Sequence, residues 1–164
     1  MLVYHGSNLV VDKPRLLPQN RFLDFGPGFY TTTNRDQAID FSRKVVRREG
    51  GGMPLVSVYE VDEQAFKGGL RVLRFGSPDS SWLDFVAENR AGTYAGDDFD
   101  AVVGPVANDD VYTTVTLYLA GVLTKQQALE ALKIKRLFDQ YVWKTQAALA
   151  AITFAESIEV SEVG

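Results

Sequence analysis

FGPGFYTTTNRDQAIDF, residues 25–41, changes its period halfway along. The first half, GFYTTT (28–33), is aromatic and β-branched and predicts a strand. Asn34 then begins a helix, with Gln37 at the capping-box position. Ala38, Phe41 and Val45 follow at helical spacing and predict one shared face. KVVRREGGG (44–52) ends the helix on three glycines. A strand running directly into a capped helix is the unit around which the rest of the chain is arranged.

Upstream, LVYHG (2–6) predicts a short strand, and residues 7–27, with two prolines and no period, a long loop of the kind that often carries function. Downstream, PLVSVYEVD (54–62) alternates as a strand and LRVLRF (70–75) is another. Trp82, Phe85, Val86 and Asn89 mark a helix over 80–91; TYAGDDFD (93–100) is a loop; AVVGPVA (101–107) is a buried strand. Val111, Val115, Tyr118 and Val122 mark a helix that stops near Gly121, and Thr124 with Gln127 forms a second capping box opening a helix to about Lys135. DQYVWKT (139–145), a short helix over 146–151 and ITFAESIEV (152–160) complete the chain. The expected architecture is a single α+β domain over 1–164, with about six or seven strands and helices inserted between them.

Composition narrows the chemistry. With 46% hydrophobic and 23% charged residues, the chain is neither disordered nor fibrous. Its longest apolar stretches, such as VTLYLAGVL (115–123), are too short and interrupted for a membrane span. MLVYHGSN has no basic flank before an apolar core, so no signal peptide is expected, and a cytoplasmic location follows as the expectation. Zero cysteines exclude disulfides, thiolate catalysis and Cys-zinc sites. One histidine excludes a His-rich metal site, and no D-x-D-x-D-G loop is present, so no metal is expected. A net charge of −4 argues against a dedicated nucleic-acid surface, though not against local patches.

Four positions stand out, each with a plain structural reading beside the functional one. Gly26-Pro27-Gly28 shares two glycines with the dinucleotide fingerprint, but the third is missing and a strand follows where a helix is needed. A tight turn into the strand is the simpler reading. His5 ends a strand before Gly6 and Ser7; it is a core histidine, or it sits where a glycine backbone can approach a carboxamide closely. Tyr30 and Phe41 lie eleven residues apart; both are core, or they flank a planar cationic ring. Gln140, beside Asp139, starts an apolar strand, where a glutamine is ordinarily a surface residue.

Taken together, YHGS (4–7), FGPGFYTTTNRDQAIDF (25–41) and DQYVWKT (139–145) resemble, in order, the three signature segments of ADP-ribosyltransferases of the diphtheria-toxin and poly(ADP-ribose) polymerase type. The middle segment is the most specific. The wider pattern, including GPVAND (104–109), resembles a bacterial branch of that superfamily. The resemblance implies a split β-sheet core and NAD as co-substrate. His5 would bond the adenosine ribose, Gly6 would grip the nicotinamide carboxamide through its backbone, and Ser7 would support that grip. Tyr30 would stack on the nicotinamide, with Phe41 on its other face. Loop 8–25 would cover the dinucleotide, with Arg15 or Arg21 meeting a phosphate. The family's catalytic glutamate aligns with Gln140, which can orient a ribose but supplies no negative charge; Asp139 is second in line for that charge. The implied activity is mono-ADP-ribosyl transfer to an acceptor, protein or nucleic acid, with an antitoxin or immunity protein as a partner of a toxin-like member. The alternatives are a weak or inactive NAD/ADP-ribose-binding module and an interaction domain without ligand.

Overall fold

The computed structural model describes residues 1–18, 23–105, 109–133 and 137–161. Among the described residues seven strands and six helices follow in the order β1 (Leu2–Ser7), β2 (Phe29–Thr32), α1 (Arg35–Glu49), β3 (Leu55–Val61), α2 (Glu63–Gly68), β4 (Val72–Arg74), α3 (Ser80–Ala91), β5 (Ala101–Pro105), α4 (Asp109–Leu119), α5 (Lys125–Lys133), β6 (Asp139–Trp143), α6 (Gln146–Leu149) and β7 (Ile152–Glu159). The strands form one open mixed sheet in the order β4-β5-β6-β2-β1-β3-β7. Every neighbouring pair is antiparallel except β4 with β5. Among the described residues, no helix is long and apolar enough to cross a membrane.

The helix ends follow local chemistry. Asn34 Oδ1 accepts the Gln37 amide at 2.8 Å, and Gly50 ends α1 at φ 72°, a left-handed conformation that glycine adopts without strain. The Gln37 side chain does not close the expected box; its Oε1 accepts the Thr32 hydroxyl at 2.8 Å and ties α1 to the end of β2. Thr124 and Gln127 do form the reciprocal box, at 2.9 and 3.1 Å. The ends expected for the strand at 106–107 and for the helix at 134–135 lie outside the described residues. The helix α2 is unannounced by its six residues; Asp62, read as the end of a strand, is its N-cap and accepts the amides of Gln64 and Ala65.

Strand alternation sends successive side chains to opposite faces. One face buries Val3, Phe29, Tyr59, Ala101, Val103 and Trp143 against α2 and α6. The other carries two separate cores. Val102 and Val142 pack with Phe25 under α3, α4 and α5, while Val56 and Val58 pack with Ala38 of α1. Between these two cores runs β2. The buried indoles are satisfied: Trp82 Nε1 donates to the Pro105 carbonyl and Trp143 Nε1 to the Thr31 hydroxyl, both at 2.9 Å.

The helix α1 crosses β1 at Gly6, backbone against backbone. A Cβ on Gly6 would collide with the Ala38 carbonyl oxygen and lie 2.9 Å from the Ser42 amide nitrogen. Neither partner is a flexible side-chain end, so the helix itself must shift. Gly6→Ala is expected to cost roughly 1–3 kcal/mol, as overpacking in a well-filled core does. Gly51→Ala, with nothing within 4 Å of its Cβ, is the control. Urea unfolding of both variants checks this, and an unchanged midpoint for Gly6→Ala would contradict the close crossing.

Candidate functional site

The three segments singled out in the sequence occupy three adjacent strands, β6-β2-β1, in the middle of the sheet. Four register pairs join β2 to β6, including Tyr30↔Val142 and Thr32↔Gln140. Six join β1 to β3. Between β1 and β2 the register is held at one position, Tyr4↔Thr32. Beyond it, the His5 side chain bridges the two strands: its Nδ1 lies 2.7 Å from the Tyr30 carbonyl oxygen.

A carbonyl only accepts, so Nδ1 carries the proton, and in the neutral ring Nε2 is left as an acceptor. Burial holds the His5 pKa below its ordinary 6.5, partly offset by the bond to Tyr30. The ring lies against Phe29, centroids 4.4 Å apart. By alternation, His5 belongs to the Phe29 face, whereas Gly6, Tyr30 and Gln140 belong to the opposite one. The candidate residues therefore meet at the β1/β2 seam from both sides of the sheet.

Half-buried Tyr30 packs against the core under α3–α5. Its hydroxyl donates to the Gly26 carbonyl at 2.6 Å and accepts the Phe25 amide at 3.0 Å. Burial, ahead of every other influence, raises its pKa, so it stays neutral. Phe41 departs from the expected helix face. Ala38, Ser42 and Val45 are buried, while Phe41 is 44% exposed. Ser42 takes the inward place because its hydroxyl bonds back to the Ile39 carbonyl at 2.6 Å. An exposed phenyl on the helix that crosses Gly6 is available to a ligand in a way a core phenyl is not.

Gln140 is no surface residue. It is 5% exposed, and its Nε2 has no hydrogen-bond partner among the described residues. A buried amide donor left unpaired is costly, on the order of 1–3 kcal/mol, and an acceptor brought by a ligand would satisfy it. Asp139 points away: its side chain is exposed, and only its backbone carbonyl engages the site, 2.9 Å from the Thr32 hydroxyl. Asp139 therefore does not supply the inward charge expected of it. Ser7 is half-buried, its hydroxyl 3.5 Å from Asn8 Oδ1.

The loop after β1 is partly built into the fold. Val11 and Leu16 pack against the Phe29-side core, the Val11 amide donates to Ser57 Oγ at 3.0 Å, and Tyr59 donates its hydroxyl proton to the Val11 carbonyl. Arg15 on this loop is exposed; Arg21 lies outside the described residues. The turn at 24–28 is held by residues that the sequence did not flag. Buried Asp24 is ion-paired with Arg90 of α3, whose guanidinium stacks 4.1 Å over the Tyr112 ring. Lys144 reaches back to the same turn. Contacts between residues so far apart leave no local signal. Among the described residues, no group of acidic or histidine side chains is arranged to hold a metal. A surface recess of about 340 Å³ between α3 and α4, lined by Asp84, Glu88, Tyr118 and Leu119, is built from none of the candidate residues.

The His5 shift has a measurable sign. Its folded pKa is below the unfolded value, so on acidification the unfolded chain takes up the proton first. The His5 contribution is intact above pH 6.5 and declines as pH falls below it. Denaturant unfolding at pH 7.5 and 5.5 should show a smaller acid loss for His5→Asn than for the wild type. Equal losses would show that the imidazole is not held neutral.

No curated protein and no solved structure matches the chain. Residues 1–154 match a protein family described as protein of unknown function (DUF3990), and the chain belongs to that family.

Proposed function

We propose that this domain is a mono-ADP-ribosyltransferase that binds NAD, cleaves its nicotinamide–ribose bond and transfers ADP-ribose to an acceptor. The observation that supports this most is the convergence of residues 4–7, 29–32 and 139–143 on adjacent strands, with an unpaired amide donor of Gln140 buried among them. The single register pair between β1 and β2 supports reading the sheet as the split core that the resemblance implies.

The residue chemistry fits the ligand. A carboxamide needs one donor and one acceptor in line, the pairing that the resemblance implies for the Gly6 main chain. Tyr30 and exposed Phe41 supply aromatic faces for a pyridinium ring, which gains stacking and cation–π attraction. His5 Nε2 accepts from a ribose hydroxyl, and Gln140 Nε2 donates to one. In the reaction, the C1–N bond breaks and its electron pair leaves on nicotinamide. The ribose becomes oxocarbenium-like, and the acceptor's nucleophile bonds to C1 and gives up its proton.

Gln140 sets the rate. An amide orients the ribose but does not oppose the growing positive charge, and groups aimed at developing charge are worth roughly 10²–10³-fold. A binding module without turnover is the second reading, and the same amide favours it. By the resemblance, the acceptor is a protein or nucleic acid, and a toxin-like member has an antitoxin or immunity protein as its partner. Incubation with labelled NAD should transfer label slowly in the wild type, faster by about 10²-fold in Gln140→Glu, and not in Tyr30→Ala. NAD binding without nicotinamide release in both wild type and Gln140→Glu would select the binding module. Absence of NAD binding would overturn both readings.

A further inference from the structure

Lys144 follows the last residue of β6 and turns back across β2. Its Nζ donates to the Phe25 carbonyl at 2.6 Å and to the Pro27 carbonyl at 2.7 Å. Between these two carbonyls, the Gly26 carbonyl accepts the Tyr30 hydroxyl. Three consecutive carbonyls of one turn are therefore gathered by two side chains, and Tyr30 is one of them. Gly26 sits at φ 76°, and a Cβ there would lie 3.2 Å from Lys144 Nζ and 2.7 Å from Asn89 Oδ1. A Cβ on Gly28 would lie 3.3 Å from Lys144 Cγ and closer still to Val142 Cγ1. Both glycines leave the space that the lysine stem and head occupy.

We propose that Lys144 is a positioning residue for the candidate nicotinamide site, fixing the 25–28 turn and through it the Tyr30 ring. This rests on the proposed function only for the identity of the ring that Tyr30 meets; the clamp itself stands on the contacts above. An ammonium on two carbonyls makes charge-assisted bonds, stronger than neutral ones. The placement is not what stability alone would select. Burial pulls the Lys144 pKa down to about 8, with Asp98 opposing, so the folded state disfavours the very charge that makes the clamp. On the other flank of the turn stand Asp24 and Arg90, already paired with each other. A partly buried ammonium engaged on the turn that carries Tyr30 is the pattern expected where orientation matters.

Lys144→Met keeps the stem and removes the head. Two readouts separate the outcomes. At fixed pH, amide hydrogen exchange over 23–30 is expected to rise at least tenfold in Lys144→Met while the thermal midpoint stays within a few degrees; Lys144→Arg, which keeps the charge, is expected to recover most of the protection. By calorimetry, NAD affinity is expected to fall at least tenfold in Lys144→Met and to recover in Lys144→Arg. Unchanged exchange over 23–30 in Lys144→Met overturns the proposal whatever NAD does, as does wild-type NAD affinity in a Lys144→Met protein with a loosened turn. If the turn loosens but the wild type itself does not bind NAD, the clamp stands and the proposed function falls.

Discussion

The bond from the His5 imidazole to the Tyr30 carbonyl is the joint on which the centre of this sheet depends. Elsewhere neighbouring strands are laced by runs of register pairs; here β1 and β2 share one, and a side chain takes over where the backbone ladder stops. A side-chain joint holds the two strands together where the backbone register pairs end. It also fixes the imidazole tautomer, because a carbonyl accepts only from N–H. Fold and candidate chemistry are thus set by one contact.

Around this joint the protein tolerates features that stability alone disfavours. Gln140 is buried with an amide proton unpaired, Lys144 is an ammonium drawn out of water, and Phe41 is a phenyl left in it. Each is a modest liability of a kind found singly in many folds. Their gathering on or beside β6, β2 and the helix that follows gives the seam its functional interest. In the proposed transferase, Gln140 would orient a sugar without the negative charge that a carboxylate brings.

Much of the strand and helix order is legible in the sequence. The strand-then-helix period change at 28–45 gave β2 and α1, and the alternation at 54–62 gave β3, because those patterns record which side chains face a core. Phe41 departs from the inward face of α1, since an aromatic at helical spacing looks like core until the strand beneath is known to present a bare glycine backbone. The short α2 escaped because six residues are too few for a period, and its one signal, Asp62, sits at the end of a convincing strand. The burial of Gln140 and the outward turn of Asp139 depend on which neighbour β6 acquires, which no local pattern encodes. Lys144 and the Asp24–Arg90 pair were invisible for the same reason: their partners lie 117 to 119 and 66 residues away.

In the proposed function, one NAD molecule is held at the β1/β2 seam by groups from β1, β2 and β6 together. NMR titration of the labelled protein with nicotinamide alone, and then with NAD, tests it most directly. The Gln140 side-chain amide, the Gly6 backbone amide and the His5 imidazole are expected to shift in parallel along one saturation curve with NAD, nicotinamide alone moving Gly6 first, while Leu119 in the recess between α3 and α4 stays still. Shifts confined to Leu119 and its neighbours, or His5 and Gln140 titrating independently, would contradict it.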